Sequence, residues 1–460
     1  MEAPQPPHTL SCSLGPAEVL FLTFSALSPA MSVFIFGDGL LHLAGTGAAT
    51  AVIVGGIIAA IMAVLYAELG AAFPEAGGIY PSLIRTLGPF WSFPYITMMM
   101  VLAPALVAFT VLGFADYVRQ LAPDLPTAPI CLVSLALACG VAVLRIRTGA
   151  LVTGLFLAVE ALALAALTVV SLTHPARSLP SVLLHPILLD HGALRPATLA
   201  TVGLATVSGI FATAGASWAM YFGEEMKDAQ RRIGPLIAWT GPLAAVVIAG
   251  PITLMVLATK DPAAVLAAPA PMAAFIASAG GRALATLVSL GLVAAIFNAL
   301  VVSVLGYSRL FYATGRDGIW PAPVNRLLAR INPVTRAPVV ATLVLAVCSA
   351  GLMLLGEQRL LVLSAAENIP EYLLMAIALL VGRPRGLTGR DYRTWLHPLA
   401  PLFGLAAMAG MIVADWLDPD AGRPSLILIA VLFAASLAYR RLRPATPARP
   451  LVPAAEAEIV

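Results

Sequence analysis

Long apolar runs separated by short polar segments make up most of the chain. Residues 46–67 contain no Asp, Glu, Lys or Arg, and neither do residues 283–308. Apolar runs of about 20 residues are long enough to cross a bilayer as α-helices. The pattern predicts twelve such spans, numbered 1 to 12 below, at about residues 17–37, 46–70, 89–118, 127–145, 148–173, 198–223, 233–258, 283–311, 337–356, 359–381, 398–416 and 424–442.

The composition excludes several other classes of protein. The 460 residues are 60% hydrophobic and only 11% charged, which is far from the composition of soluble domains. No stretch is basic enough for a nucleic-acid partner, and no phosphate-binding glycine loop of the ATPase type occurs. The spacing of the four cysteines fits neither a disulfide framework nor a metal site, so we predict no metal and no cofactor.

The basic residues are distributed unevenly between the predicted loops. Most of the 26 Lys and Arg residues fall in alternate loops, the positive-inside pattern of membrane proteins. This predicts a multi-pass protein of the plasma or inner membrane with both termini in the cytoplasm. The tails, residues 1–16 and 444–460, are rich in proline, alanine and polar residues, so we expect them to be disordered.

Two of the spans are interrupted near their centres. Pro29 breaks span 1, and a proline in a helix interior costs about 3 kcal/mol. Backbone groups left unpaired at that depth must face protein or a watery cavity. Span 6 has a similar centre of small and polar residues, and paired interruptions in two halves indicate a transporter's binding site. The predicted site residues are Ser28, Pro29, Ala30, Met31 and Ser32, with Thr213, Gly215 and Ser217.

Carboxylates inside spans are the second kind of candidate. Glu160 lies mid-span, where a charge costs about 2.5–3.5 kcal/mol, so it needs a proton, a partner or water. It either couples transport to protons or is a neutral carboxyl bonded to another helix. Glu367 and Glu371 share one face of span 10 and are expected to face water, an arginine such as Arg359, or each other through a shared proton. They are either a vestibule that attracts cationic amines or a structural pair at a helix bend.

Four other polar residues complete the candidates. Glu224 and Glu225 end span 6 beside a basic loop, where they form either an inner gate with arginines or a surface ion-pair network. Asn298 and Ser303 in span 8 either line the cavity or bind sodium, or they form hydrogen bonds between helices.

Three segments resemble parts of the amino acid permeases of the amino acid–polyamine–organocation superfamily. They are YAELG at 66–70 with FPEAGGIY at 73–80, GEEMK at 223–227, and SRLFYA at 308–313 with RDG at 316–318. Their order and spacing fit the ends of the family's second, sixth and eighth helices. The resemblance covers about residues 17–443.

The resemblance implies an all-α, leucine-transporter-like core. Five helices in about residues 17–173 would be repeated in inverted orientation in about 198–381, and helices 11 and 12 would follow in 382–443. It also implies an aromatic lid at Phe211 and an unwound glycine at Gly215.

Two residues depart from the family pattern. Met31 stands on the turn where the family usually has a glycine–small–glycine sequence, and it would crowd the usual carboxylate pocket. Glu160 stands about where some proton-coupled relatives carry a lysine, so a lysine mechanism cannot be carried over.

The sequence therefore predicts a secondary active permease for amino acids or related small amines, with proton symport as the expected mode. One alternative is an exchanger of cationic amines or polyamines. From other classes, a non-transporting sensor or a membrane-embedded enzyme remains open, although an enzyme would need a catalytic cluster that the sequence does not offer. The expected partners are the solute, a coupling proton and the bilayer; the oligomeric state stays open.

Overall fold

A computed structural model describes residues 10–420 and 422–442, and it is built almost entirely of helices. The α-helices are α1 (Pro16–Leu27), α2 (Pro29–Met31), α3 (Gly37–Ala44), α4 (Ala48–Ala72), α5 (Tyr80–Leu121), α6 (Thr127–Ala142), α7 (Ile146–Thr173), α8 (Leu179–Leu184), α9 (Leu199–Thr213), α10 (Ala229–Ala258), α11 (Pro262–Leu266), α12 (Pro271–Gly280), α13 (Arg282–Arg316), α14 (Ala322–Leu328), α15 (Val339–Leu352), α16 (Glu357–Ala365), α17 (Asn368–Gly382), α18 (Leu399–Leu417) and α19 (Gly422–Leu442). The strands are β1 (Ile187–Asp190) and β2 (Ala193–Pro196). A π-helical segment covers Ser32–Phe36, and 3₁₀ segments cover Gly45–Gly47, Ala216–Glu225 and Met353–Leu355.

The long apolar helices confirm a polytopic all-α membrane protein. Within the described residues, nine helical segments are long and apolar enough to cross a bilayer. One of them, Pro16–Ala72, is 57 residues long and covers the region of two predicted spans. Thr127–Ala142 and Val339–Leu355 are apolar but shorter, and they fall on spans 4 and 9.

Small residues hold α4 against α9 and α10 at the centre of the bundle. A Cβ on Gly55 would lie 2.4 Å from the carbonyl carbon of Gly209, and one on Gly241 would lie 2.5 Å from Cβ of Ala63. Close backbone approach between small residues is how helices pack in lipid, where no hydrophobic force pulls them together. This packing fixes α9, and therefore the break that follows it.

Two predicted spans are irregular. Inside α5 the backbone departs from helical geometry at Gly88 (φ 82°, ψ 167°), so span 3 begins at a kink. Span 10 is divided into α16 and α17, and Glu367 lies at the junction. Ala366 and Glu367 keep right-handed helical backbones across this junction.

The connection between α7 and α9 contains a β-hairpin that the sequence analysis did not predict. Strands β1 and β2 pair antiparallel, with Ile187 opposite Pro196 and Asp190 opposite Ala193. The Thr46 hydroxyl accepts a hydrogen bond from the Ile187 amide at 2.9 Å, which ties the hairpin to the turn before α4. The strands are only four residues long, so alternation of apolar and polar positions gives little warning of them.

The N-terminal segment is ordered from residue 10, which differs from the disordered tail expected for residues 1–16. Leu14 forms a parallel β-bridge with Met226, and Leu10 and Leu14 are buried. The Leu14 amide donates to the Glu225 carbonyl at 2.9 Å, and the Lys227 amide donates to the Leu14 carbonyl at 2.8 Å. Burial of two leucines stabilises this segment, which we call the N-terminal strap (residues 10–15). Residues 1–9 and 443–460 lie outside the described part of the chain.

Candidate functional site

The first break is confined to one residue. Ser28 has a left-handed backbone (φ 45°, ψ 79°) between α1 and α2. The next residue is Pro29, which has no amide hydrogen to donate to the preceding turn. Helical hydrogen bonds resume at once, because the Ser32 amide donates to the Ser28 carbonyl at 2.9 Å. The interruption therefore leaves few backbone groups unpaired.

Glu160 of α7 inserts its carboxylate into this break. Its Oε1 accepts hydrogen bonds from the Ser28 hydroxyl at 2.9 Å and from the Ala30 amide at 2.7 Å. The side chain is fully buried (0% exposed). Its other oxygen, Oε2, has no hydrogen-bond partner among the described residues. The carboxylate thus replaces the backbone partner that the break removes, and it keeps one oxygen available.

The second break lies between α9 and the 3₁₀ segment Ala216–Glu225. Ala214 is extended (φ −71°, ψ 145°), and Gly215 has φ 151°, a conformation that side-chain-bearing residues rarely adopt. Thr213 uses its hydroxyl locally, since Oγ1 donates to the Gly209 carbonyl at 2.8 Å. The 3₁₀ segment runs for ten residues, well beyond the three or four that are usual, and such stretches often mark hinges.

The two breaks are in contact. A Cβ on Gly215 would lie 2.7 Å from Cδ1 of Leu27, the residue just before the first break. Nearby, the rings of Phe36 and Phe211 meet edge to face with centroids 4.9 Å apart. The tertiary structure therefore brings together the two interruptions that the sequence analysis selected.

The remaining candidates of span 1 divide by exposure. Pro29, Ala30 and Ser32 are buried, and the Ser32 hydroxyl donates to the Leu27 carbonyl at 3.2 Å. Met31 is only half-buried, as is Phe211 on the opposite side.

Asn298 and Ser303 lie on α13, which packs against α7. Phe297 meets Phe156 of α7 with ring centroids 5.6 Å apart. Asn298 is fully buried (0% exposed), and neither its Oδ1 nor its Nδ2 has a partner among the described residues. A buried amide usually makes hydrogen bonds, so this residue needs water or a ligand. Ser303 is also buried.

Glu225 and Glu224 both pair with arginines of α13. Glu225 forms a two-point ion pair with Arg309, whose Nη2 donates to Oε1 at 3.1 Å while Nε contacts Oε2, and both side chains are buried. Arg309 also lies over the Phe222 ring, 5.5 Å from its centroid. Glu224 accepts from Arg316 Nη1 at 2.5 Å.

A polar network extends from Glu224 toward the α4–α5 connection. Arg316 approaches Glu75 at 3.8 Å, and Glu75 pairs with Arg85 at 2.5 Å. Burial raises the pKa of Glu75, while the nearby charges of Arg85 and Arg316 act in the opposite direction. This network and the N-terminal strap tie span 6, span 8 and the α4–α5 connection together at one end of the bundle.

Glu367 and Glu371 are buried rather than open to solvent, at 8% and 9% exposed. The Tyr307 hydroxyl donates to both oxygens of Glu367, at 2.8 and 3.1 Å. Glu371 faces Ser217 and Tyr66. The pair is therefore neither open to solvent nor, among the described residues, paired with an arginine such as Arg359; hydroxyl groups are its neighbours instead.

The sequence analysis missed the tyrosines around this pair. Tyr66, Tyr95, Tyr221 and Tyr372 lie near the two carboxyls, together with Tyr307. The sequence does contain a signal for them. A tyrosine inside an apolar span must bury its hydroxyl and therefore usually has a polar partner, which would have predicted polar neighbours for these residues.

The apolar helices and their paired breaks define a polytopic membrane protein with an interrupted-helix core. The chain belongs to the amino acid permease family, which matches residues 14–436, and thus to the amino acid–polyamine–organocation superfamily. This is a family of membrane transporters. No curated protein matches the chain.

Proposed function

We propose that the protein is a secondary active permease that moves an amino acid or a related small amine by alternating access, in symport with a proton. The observation that carries this proposal is the contact between the two helix breaks at Leu27 and Gly215, beside the Glu160 carboxylate. Membership of a permease family supports it.

The proposed solute site lies at the breaks. Its wall on one side is Ser28, Pro29, Ala30, Met31 and Ser32, and on the other Phe211, Thr213, Gly215 and Ser217. The second break, at Ala214 and Gly215, is the larger departure from helical backbone, and such an interruption can offer backbone dipoles and free carbonyls to a zwitterion. The half-buried Met31 and Phe211 would reduce the space for a side chain, which favours a small solute. Asn298 and Ser303 would complete the polar lining, since the amide of Asn298 has no protein partner among the described residues.

Glu160 is the proposed proton site. When ionised, the carboxylate holds the first break through strong, charge-assisted bonds from Ser28 and Ala30. Protonation of the free Oε2 would weaken both bonds and leave the break freer to move. A proton bound here would therefore change the mobility of the helix that also binds the solute, which is the coupling that symport requires.

Glu224 and Glu225 are proposed to close the cytoplasmic gate. Their pairs with Arg316 and Arg309 join span 6 to span 8, and the N-terminal strap holds α1 to Met226. Solute release on this side would require these contacts to separate. The present conformation is then closed toward the cytoplasm.

The finer topology is part of the same proposal. We infer twelve spans in two inverted repeats, residues 17–173 and 198–381, followed by helices 11 and 12 in 382–443. Both termini would be cytoplasmic, and the membrane would be the plasma or inner membrane. The nine long apolar segments, the double length of Pro16–Ala72 and the two shorter apolar helices on spans 4 and 9 support this count.

The second candidate function is exchange of cationic amines or polyamines. The buried carboxyls Glu367 and Glu371 favour it, because they have hydroxyl neighbours and no basic partner among the described residues. A non-transporting sensor and a membrane enzyme are weaker alternatives, and transport assays separate them from both permease modes.

The test uses the purified full-length protein. A thermal-shift screen of amino acids, amines and polyamines identifies the solute, because a ligand stabilises the state that it binds. The solute is then offered to proteoliposomes with and without an inward proton gradient. Gradient-driven accumulation supports symport, and exchange without gradient dependence supports the second candidate. Binding without any flux would favour a sensor and overturn the permease proposal.

A further inference from the structure

We propose that a glycerophospholipid occupies a groove between spans 3, 4 and 8, with one acyl chain in the groove and its phosphate bound by Arg119 and Thr127. The groove has a volume of about 370 Å³ and is formed by residues of α5, α6 and α13. None of the residues that line it belongs to the helix breaks. The inference therefore goes beyond the proposed permease function and does not depend on it.

The walls of the groove are apolar. On α6 the lining residues recur on one helix face, from Pro129 through Val133 to Leu137. Ser134 is the polar residue of the lining, and its hydroxyl donates to the Cys131 carbonyl at 3.0 Å. Within the described part of the chain, no side chain of the lining is left with an unpaired buried polar atom. Such walls fit a hydrocarbon chain.

The length of the groove fits an acyl chain better than a protein helix. The groove follows α6 from Pro129 to Leu137, which is about 12 Å at 1.5 Å per residue. One leaflet of a bilayer has a hydrocarbon depth of about 15 Å, whereas a transmembrane helix of a partner would need contact over about 30 Å. Val133 and Leu137 are each 57% exposed, so the open side of the groove faces the lipid.

A basic group marks the end of the groove at the membrane boundary. Helix α5 ends at Leu121, and α6 begins at Thr127, two residues before Pro129 of the lining. There Nη1 of Arg119 donates to the Thr127 hydroxyl at 3.2 Å. Among the described residues Arg119 contacts no carboxylate, so the rest of its guanidinium can bind an anion. A phosphate can accept two parallel hydrogen bonds from an arginine.

The basic group is what would select the occupant. In a bilayer an apolar groove attracts no particular molecule, because the surrounding lipid chains are equally apolar. Asp116, one turn before Arg119, lies near Glu357 of α16 and Cys131 of α6. The charge of Arg119 is thus left for a headgroup. An apolar groove that ends at an unpaired cation matches the two ends of a phospholipid.

The floor of the groove connects it to the helix that carries Glu160. Phe114 and Phe297 line the groove, and their ring centroids are 5.7 Å apart. Phe297 also meets Phe156 of α7 at 5.6 Å, one helical turn before Glu160. An acyl chain packed on these rings would support the contacts of α5, α7 and α13 beside the first break. A lipid bound in the groove should therefore stabilise the folded protein.

The experiment measures lipid retention by the purified full-length protein in maltoside detergent, by native mass spectrometry and by thermal shift. The probes are dioleoyl phosphatidylglycerol, dioleoyl phosphatidylcholine and dioleoylglycerol. All three carry the same acyl chains, but dioleoylglycerol has no phosphate. We expect both phospholipids to be retained at least fivefold more than dioleoylglycerol and to raise the thermal midpoint.

Two variants with matched controls make the test specific. Val133→Trp fills the groove and should reduce phospholipid retention at least fivefold. Val169→Trp, on α7 at a residue that is 59% exposed and outside the groove, should change it less than twofold. Arg119→Gln should reduce retention about fivefold, the effect expected of one basic residue at an anionic headgroup. Arg282→Gln, at the exposed first residue of α13, should change it less than twofold.

Three results overturn the inference. In the first, the wild type retains phospholipids no better than dioleoylglycerol. In the second, Val133→Trp or Arg119→Gln folds normally and retains as much phospholipid as the wild type. Arg119 is exposed, so its variant keeps the test valid if Val133→Trp folds poorly. In the third, the wild type forms a dimer that Val133→Trp separates while no phospholipid is retained, and the groove is then an interface between two copies.

Discussion

The backbone amide of Ala30 donates a 2.7 Å hydrogen bond to Oε1 of Glu160, so a side chain of span 5 completes the backbone of span 1. A break at mid-membrane normally leaves an amide that lipid cannot satisfy. Here a carboxylate satisfies it, and the stability of the break depends on the charge of that carboxylate. This relationship gives the first two predictions.

Replacing Glu160 with glutamine should uncouple transport from protons. The glutamine amide oxygen can still accept from Ser28 and Ala30, so the break keeps its shape, but the side chain no longer binds or releases a proton. Proton-driven accumulation in proteoliposomes should fall at least tenfold, and exchange of labelled for unlabelled solute should change less than threefold. Glu357→Gln is the control. Unchanged accumulation in the Glu160 variant would exclude this residue as the coupling site.

Substitutions of Ser28 should separate backbone strain from hydrogen bonding. The left-handed backbone of Ser28 destabilises the fold by about 1–2 kcal/mol, as it does for any residue with a side chain. Ser28→Ala loses the bond to Glu160, about 1 kcal/mol, and keeps the strain. Ser28→Gly loses the same bond but relieves the strain. In thermal unfolding, Ser28→Gly should therefore be more stable than Ser28→Ala by about 1 kcal/mol, and the reverse order would contradict the observed backbone.

Gly215→Ala should damage the contact between the two breaks. Its Cβ would lie 2.7 Å from Leu27 Cδ1, on a backbone with φ 151°. Strain of this kind costs about 1–3 kcal/mol, and the altered break should also weaken solute binding by tenfold or more. Gly203→Ala, in the preceding helix α9, meets nothing within 4 Å and serves as the control. Wild-type affinity in Gly215→Ala would argue against a solute site at the breaks.

Removing one partner of the buried Glu225–Arg309 ion pair should destabilise the protein more than removing both charges. Arg309→Met leaves Glu225 buried and unpaired, which costs about 3–5 kcal/mol. The double variant Glu225→Gln/Arg309→Met removes that charge and should recover at least half of the loss in thermal midpoint. Arg316→Gln, at a more exposed pair, should cost only about 1 kcal/mol. A double variant less stable than Arg309→Met alone would disprove this account.

The sequence allowed the interrupted spans and the acidic candidates to be found because their signals are local. A proline with serines in an apolar run, or a glutamate in the middle of one, is anomalous whatever surrounds it. The short hairpin at residues 187–196 has no such local signal, and the sequence did not predict it.

Partners across the bundle could not be predicted in the same way. Glu160 and Ala30 are 130 positions apart, and Tyr307 and Glu367 are 60 apart. The packing that decides which residue faces which depends on small-residue contacts such as Gly55 with Gly209. The order of the N-terminal strap also depends on residues far along the chain, because Leu14 pairs with Met226. By composition alone, the strap looks like part of a polar tail.

The sequence by itself determined that the chain is a polytopic helical membrane protein with two interrupted spans. The length of an apolar run decides whether a helix can cross the bilayer, and a helix-breaking residue acts on its own stretch of backbone, so both effects are local. Only the tertiary structure decided that these interruptions touch, that Glu160 enters one of them, and that tyrosines lie near Glu367 and Glu371. Those relationships arise from the close packing of helices far apart in the chain, which local propensity does not encode.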